Sequence, residues 1–378
     1  MFTPTPLRRN YAAALRDLRS QKAAVREAAA QDLSVVGSSN AREAADALAP
    51  LLDDEAAKVR IAALHALGAL DARHLLDAIA RRLDDGDSEV RQAAVISLAE
   101  IGGDRALAAL DRALAHAHND VRYQALLGLC KVSPPRGLDA ARALLSSDDP
   151  WIAAEAAEQL GLLAELHPGS FGEGCREAVR EALHAELTAA RSGRIAVSAA
   201  MSLARLGDDR AWPALIAFVG GERAVEGQDE PMLAQDAVDL LGGAPEPFAP
   251  AAREALARHA WKVVPSMTRS LARASLARLG DRRAIREVIA GLDAFWQSRR
   301  LESVHIARRA RLREASDALV ARLKRRDTDP LAIVEALAEI GGDVAQRCLE
   351  ETARDADDAE LRDAARAASQ RLAQGGAA

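Results

Sequence analysis

Aromatic side chains are scarce in this chain: five Phe, two Tyr and four Trp make up 3% of 378 residues. A core built on stacked rings is therefore excluded. It has to be made of thin layers of Ala, Leu, Val and Ile, which suits helices packed at close range. Cysteine is nearly absent as well. Cys130, Cys175 and Cys348 are odd in number and lack paired spacing. That excludes a disulfide framework and reads as free, mostly buried thiols of a reducing cytoplasm. No apolar run approaches the ~18 residues that span a bilayer, and Met1 to Asn10 lacks the apolar stretch of a signal peptide. No membrane association and a cytoplasmic location are expected. The phosphate-cradling loop, the dinucleotide-binding glycine fingerprint and the nucleophile elbow are missing too.

What is present is a repeated phrase. Val25-Arg26, Val59-Arg60, Val90-Arg91 and Val121-Arg122 follow one another at intervals of 34, 31 and 31 residues. Each pair leads to an alanine (Ala29, Ala63, Ala94, Ala125) and then a leucine (Leu33, Leu67, Leu98, Leu129). Within the third repeat the apolar positions are Val90, Ala93, Ala94, Leu98 and Ile101, one stripe of a 3.6-residue helix. Gly102-Gly103 ends it. Asp104 is placed to cap a second helix, expected over Arg105–Ala115. LAEIGGD at Leu98–Asp104 recurs at Leu337–Asp343, and LARLGD at Leu203–Asp208 recurs at Leu276–Asp281. Self-similarity at this period predicts an all-α, right-handed α-solenoid of about ten helical hairpins.

The organisation expected is one solenoid over 1–372, with regular repeats at 7–160, an irregular middle at 161–262, basic repeats at 263–326, terminal capping repeats at 327–372 and a frayed tail at 373–378. The fifth repeat has Trp151-Ile152 where Val-Arg is expected, and the ninth has Val304-His305. Glu165–Cys175 reads as an insertion, Gly220–Pro231 as a polar loop, and the three prolines of Gly242–Pro250 interrupt any helix.

Asp87-Ser88-Glu89-Val90-Arg91, followed by Ala94, Leu98, Gly102 and Asp104, resembles the HEAT-like repeat of the phycobilin-lyase type. The resemblance is clearest over 20–135 and weaker at 194–220, 264–290 and 330–372. It implies that the Val-Arg helices line a concave face. It also implies that Arg26, Arg60, Arg91 and Arg122 stack along one ridge, facing the carboxylates Asp54, Asp87 and Asp120 in an inter-repeat ladder. On those helices Gln92, Ile96, Tyr123 and Leu127 are expected to point into the groove and to meet a partner.

Other chemistries fit poorly. The HEAT-like deoxyhypusine hydroxylases hold two irons through His-Glu dipeptides, and none of the eight histidines here precedes Glu. His116 and His118 have no evident third ligand. No residue matches a chromophore-handling role, and no cofactor is expected. The one compositional oddity is charge. The chain is −6 overall, yet Lys262–Arg326 holds 17 Lys and Arg against 6 Asp and Glu. Arg269 takes the Arg slot of its repeat, and Arg273 is expected to project away from the core. With Trp296, Arg299, Arg300, Arg308 and Arg309 they form the candidate binding set. A non-catalytic scaffold that binds an acidic protein partner is the leading reading. Nucleic-acid binding through the same patch, in the manner of HEAT-like alkylpurine DNA glycosylases, is the alternative. One continuous strip of arginines on the Val-Arg face would favour it; scatter over the other face would count against it.

Overall fold

The computed structural model describes residues 11–37, 39–167, 173–189, 192–222, 225, 230–264 and 266–375, and among them no strand occurs. The chain is an all-α solenoid in which helices alternate between two layers. Its residues group into two compact units, Met1–Arg191 and Ser192–Ala378. The division falls inside the expected irregular middle.

In the first unit one layer holds α2 (Ala23–Leu33), α4 (Ala57–Ala69), α6 (Ser88–Ile101), α8 (Asn119–Val132) and α10 (Pro150–Leu166). Each packs on the next. Behind them lie α1 (Tyr11–Asp17), α3 (Ala41–Leu48), α5 (Leu76–Ala80), α7 (Gly103–Ala113), α9 (Pro134–Leu144) and α11 (Glu173–Ala189). The second unit repeats the scheme. Its first layer is α12 (Gly193–Arg205), α14 (Glu230–Leu241), α16 (Met267–Arg278), α18 (Gln297–Ala310), α20 (Pro330–Ile340) and α22 (Ala359–Gly375). Its second layer is α13 (Trp212–Val219), α15 (Ala249–Ala260), α17 (Arg282–Leu292), α19 (Ser316–Arg325) and α21 (Asp343–Asp355).

Sequence dictates the repeat. In α6 the stripe Val90, Ala93, Ala94, Leu98 and Ile101 is buried throughout. Asp87 caps the helix by accepting the Glu89 and Val90 amides, and burial of the stripe then supplies about 1.5–3 kcal/mol per large side chain. The verbatim echoes fold alike: Gly102 and Gly341 have φ of 60° and 69°, a left-handed turn in which a Cβ would be strained. Alanine-rich packing brings backbones close. A Cβ on Gly137 of α9 would lie 2.5 Å from Cys130 Cα of α8, so only hydrogen fits there.

Several boundaries differ from expectation. The helix after Gly102 spans Gly103–Ala113, so Asp104 sits in its first turn and does not cap it. There its charge still complements the helix dipole. In the fifth repeat Asp149 is the N-cap, which puts Ile152 in the Val slot and buried Ala153 in the Arg slot. Helix α22 runs to Gly375, through half of the expected tail, and 376–378 lie outside the described residues. Residues 168–172 of the expected insertion, and 223–224 and 226–229 of the expected loop, lie outside the described residues as well. Gly242–Pro250 does break the helix: α14 stops at Leu241 and α15 starts at Ala249.

Candidate interaction surface

The Val-Arg arginines act on two turns at once. Arg26 Nη1 donates to Ser20 O at 2.9 Å and Gln21 O at 3.3 Å, fixing the turn before its own helix. Its other edge, Nε and Nη2, grips both oxygens of Asp54 in the next repeat at 2.7 Å each. Arg60 holds Asp54 O and Glu55 O behind it and Asp85 at 2.7 Å ahead. Arg91 holds Asp85 O and Gly86 O and reaches Asp120 at 2.9 Å. The planar fork of arginine suits this two-sided task, which a point charge on lysine does not. Hydrogen bonds from Arg26 hold the Asp54 carboxyl below the usual carboxylate range. Burial pushes Asp85 up, but Arg60 and the Asp87 amide outweigh it, and Asp85 too ends low.

Two members of the expected ladder take other places. The carboxylate opposite Arg60 is Asp85; Asp87, two residues on, spends its oxygen on capping α6. Arg122 meets Asn119 within its own repeat, and Asn119 reaches on to Asp149.

The second unit uses the same device. Arg269 donates back to Val263 O at 3.2 Å and forward to Glu302 at 3.0 Å. Arg300 donates back to Ala294 O and Phe295 O and forward to Thr328 Oγ1 at 2.9 Å. The ninth repeat's slot is therefore Arg299-Arg300, five residues before the expected Val304-His305. These contacts consume Arg269 and Arg300, so neither is a free cation. The rest of the basic set is also engaged. Arg273 does not project outward; it donates to Ala260 O at 2.9 Å with its guanidinium 5.5 Å from the Trp261 ring. Arg299 lies 3.6 Å from Glu287. Arg308 pairs with Glu335 and lies 3.6 Å from Glu339. Arg309 pairs with Asp239 at 3.0 Å. Within Lys262–Arg326 the exposed cations without an ion-pair partner among the described residues are Lys262, Arg282, Arg283, Arg286, Arg311, Arg313 and Lys324. They sit on α17, on α19, in the turn after α18 or in the turn after α15, so they do not form a strip along the first layer.

What the first layer offers instead is apolar. Between α16 and α18 runs a groove of about 760 Å³ walled by Met267, Leu271, Ala274, Leu301 and Ile306, with Ser270, Glu302, His305, Arg308 and Arg309 along it. At the same ends of these helices Met267 (64%), Phe295 (86%) and Trp296 (69%) stand exposed, with Val263 and Val264. Phe295 and Trp296 meet edge to face, centroids 5.3 Å apart. Glu302 stays ionised in the groove: burial pushes its carboxyl up, but Ser270 and Arg269 hold it below the usual range.

In the first unit, Ile96 and Leu127 come together in a smaller cleft of about 170 Å³ between α6 and α8. Gln92 is half-buried and is not among the residues that line it. Tyr123 turns to Trp151, ring centroids 4.4 Å apart. His116 faces Asp84 at 3.0 Å. Among the described residues no group of three or more His, Cys, Asp or Glu could hold a metal ion, and no helix is long and apolar enough to cross a membrane. Met267, Leu271, Leu301 and Ile306 escape a reading based on charge. A signal was present, though. Regular repeats put polar pairs six and five residues before the arginine, Asp54-Glu55 and Asp85-Gly86, where the second unit has Val263-Val264 and Ala294-Phe295.

Comparison with known proteins agrees with the fold. Residues 12–99 and 45–121 match the family model for HEAT repeats. No curated protein matches the sequence. A homology model of the full-length AP-3 complex in an intermediate open conformation is similar in fold, with a TM-score of 0.54 and 14% identity over 92% of this chain and 71% of that one. Kap121p aligns at 13% identity and a TM-score of 0.45; the alignment covers 96% of this chain, which spans 45% of that protein's length. The CpcE–CpcF complex of phycocyanin lyase from Nostoc sp. PCC7120 aligns at 19% identity and a TM-score of 0.35, over 68% of this chain and 96% of that one.

Proposed function

We propose that this HEAT-repeat protein is a non-catalytic scaffold, and that a protein partner docks on the first layer of its second unit, in the groove between α16 and α18. One observation carries the reading. Exposed Met267 lines the groove, and Phe295 and Trp296 stand exposed in the turn that enters α18, one of its two walls, whereas large apolar side chains elsewhere in the repeats are mostly buried. Contiguous exposed apolar surface rimmed by polar groups marks interaction sites, and tryptophan is a frequent energetic anchor in them. Arginine–carboxylate pairs at the rim set orientation more than affinity. HEAT-repeat folds commonly mediate protein–protein contacts, which agrees with this use of the surface.

The charge pattern speaks against the nucleic-acid alternative. Binding to a phosphate backbone calls for several unneutralised cations on one face. Here Arg308 and Arg309 face Glu335, Glu339 and Asp239, and the unpaired arginines of the basic stretch lie on α17 or in the turn after α18. An acidic partner surface would meet Arg282, Arg283 and Arg286 of α17 rather than the groove.

The test is affinity capture from lysate of the source cells, with nuclease present, using the native chain and Phe295→Ala/Trp296→Ala. A protein retained by the native chain and lost from the double variant is the expected result. Equal retention by both, or retention that nuclease abolishes, would overturn the reading.

A further inference from the structure

One core slot of the repeat holds a charge. Four residues after the slot arginine, other repeats place Ala30, Leu64, Val95, Leu126 and Val304, all buried. After Arg269 the same slot is Arg273. It is half-buried, and its Nε donates to Ala260 O at the end of α15. Its Nη1 and Nη2 have no hydrogen-bond partner, and its charge no carboxylate, among the described residues. Burial and Arg269 push its pKa down, and a half-buried cation left without a counter-charge is costly. Arg273 lies 5.5 Å from the Trp261 ring, and Arg283 of α17 lies over the same ring at 3.9 Å. Lys262 follows Trp261 in the chain, and Arg282 and Arg286 share the first turns of α17 with Arg283; all four cations are exposed and without an ion-pair partner among the described residues. The acids nearby are spent. Asp281 caps α17, Glu287 lies 3.6 Å from Arg299, and Glu302 binds Arg269.

We infer that the cations gathered around Trp261, with Arg273 and Arg283 at the centre, form a binding site for a compact polyphosphate. Capping α15 uses only Nε of Arg273 and leaves the rest of the guanidinium to a ligand. Uncompensated charge sets the class of that ligand. A carboxylate brings one charge and two oxygens, whereas each phosphate group brings up to about two charges and three acceptor oxygens. Arginine edges take such oxygens in pairs. Trp261 holds the Arg283 guanidinium in place by cation–π contact, so less freedom is lost on binding. A nucleic-acid strand fits less well. Arg283 lies over the ring that a base would stack on, and the unpaired run does not continue into Arg299, Arg308 or Arg309, which face carboxylates. The inference does not use the α16–α18 groove and stands without it.

Inorganic tripolyphosphate is the probe, titrated calorimetrically into the full chain at constant ionic strength. Saturable binding is expected. Arg283→Ala removes an exposed side chain and should weaken binding about tenfold, the loss of one charge-assisted contact. Arg273→Leu restores the apolar residue of the regular repeats and should give a similar drop. Because that variant also removes the cap of α15, its thermal midpoint without ligand is measured beside it. A midpoint at or above the native value, together with weakened binding, separates a ligand role from a purely structural one. Arg81→Ala, which deletes an exposed charge of the first unit, should keep native affinity. No saturable binding, or native affinity in both Arg283→Ala and Arg273→Leu, would overturn the assignment. An equal response to sulfate would reduce the site to an adventitious ion only, and equal affinity for citrate would remove the preference for phosphate. Tighter binding of a thymidine oligonucleotide than of tripolyphosphate would give the cluster to nucleic acid and contradict a compact ligand.

Discussion

Arg26 and Asp54, 28 residues apart in sequence, form a two-pronged contact at 2.7 Å, and the same guanidinium ties down Ser20 and Gln21. One side chain thus fixes the turn before its helix and the spacing to the next repeat. Neither element has local reasons to adopt that spacing, so the ladder sets the register of the repeats while the Ala-Leu stripe supplies cohesion. Lysine at position 26 keeps the charge but cannot hold these four oxygens from the two edges of one planar group. Arg26→Lys should lower the thermal midpoint of the first unit more than Arg105→Lys, whose partner Asp77 is exposed and 3.2 Å away. Thermal unfolding of the two variants makes the comparison.

Acid tests the same contact from the carboxylate side. Asp54 titrates below its ordinary value when folded, because Arg26 binds its charged form. Its contribution is therefore fully present above the usual aspartate pKa of about 4 and is lost as pH falls through the lowered folded value. Asp54→Asn should be less stable than the native chain at neutral pH and should lose less stability on acidification. Parallel pH-dependent denaturation curves would contradict the ladder's role.

Close approach of helices α8 and α9 gives a sharper stability prediction. A methyl group at position 137 collides with the Cys130 backbone, at 2.5 Å from Cα and 2.8 Å from N. Gly137→Ala should cost about 1–3 kcal/mol, the usual range for overpacking. At Gly128 the nearest atom to an added Cβ is Ala99 Cβ at 3.4 Å, so Gly128→Ala should change stability far less. Urea denaturation orders the two.

Thiol reactivity should be graded. Burial pushes the Cys130 thiol up to about 12 and raises Cys348 as well. Cys175 is half-buried, the least enclosed of the three. A thiol reagent at pH 8 should label Cys175 first and the other two only as the chain unfolds. Prompt labelling of all three would contradict the packing around α8 and α21.

Much of this fold is legible in the sequence because the repeat is written in residues whose role is local. Val90, Ala94 and Leu98 mark one helix face, and Gly102 and Gly341 mark turns that only glycine enters easily. Arginine partners are less legible. Asp85 and Asp87 are chemically alike, and only the turn geometry sends one to Arg60 and the other to a helix cap. The basic stretch misleads for a related reason: counting charge over Lys262–Arg326 cannot see that Asp239 lies beside Arg309 or Glu335 beside Arg308, because those carboxylates belong to other repeats. The groove is hidden since Met267, Leu271, Leu301 and Ile306 come from two helices and read separately as ordinary core.

Site-specific photo-crosslinking tests the proposed interface most directly. A benzophenone amino acid replaces Phe295, in the turn that enters α18, in one variant and Arg286 on α17 in another, and each is irradiated in cells. A discrete protein adduct from position 295, resistant to nuclease and absent from position 286, is the result the scaffold account predicts. Adducts from position 286 alone, or adducts that nuclease removes, would contradict it.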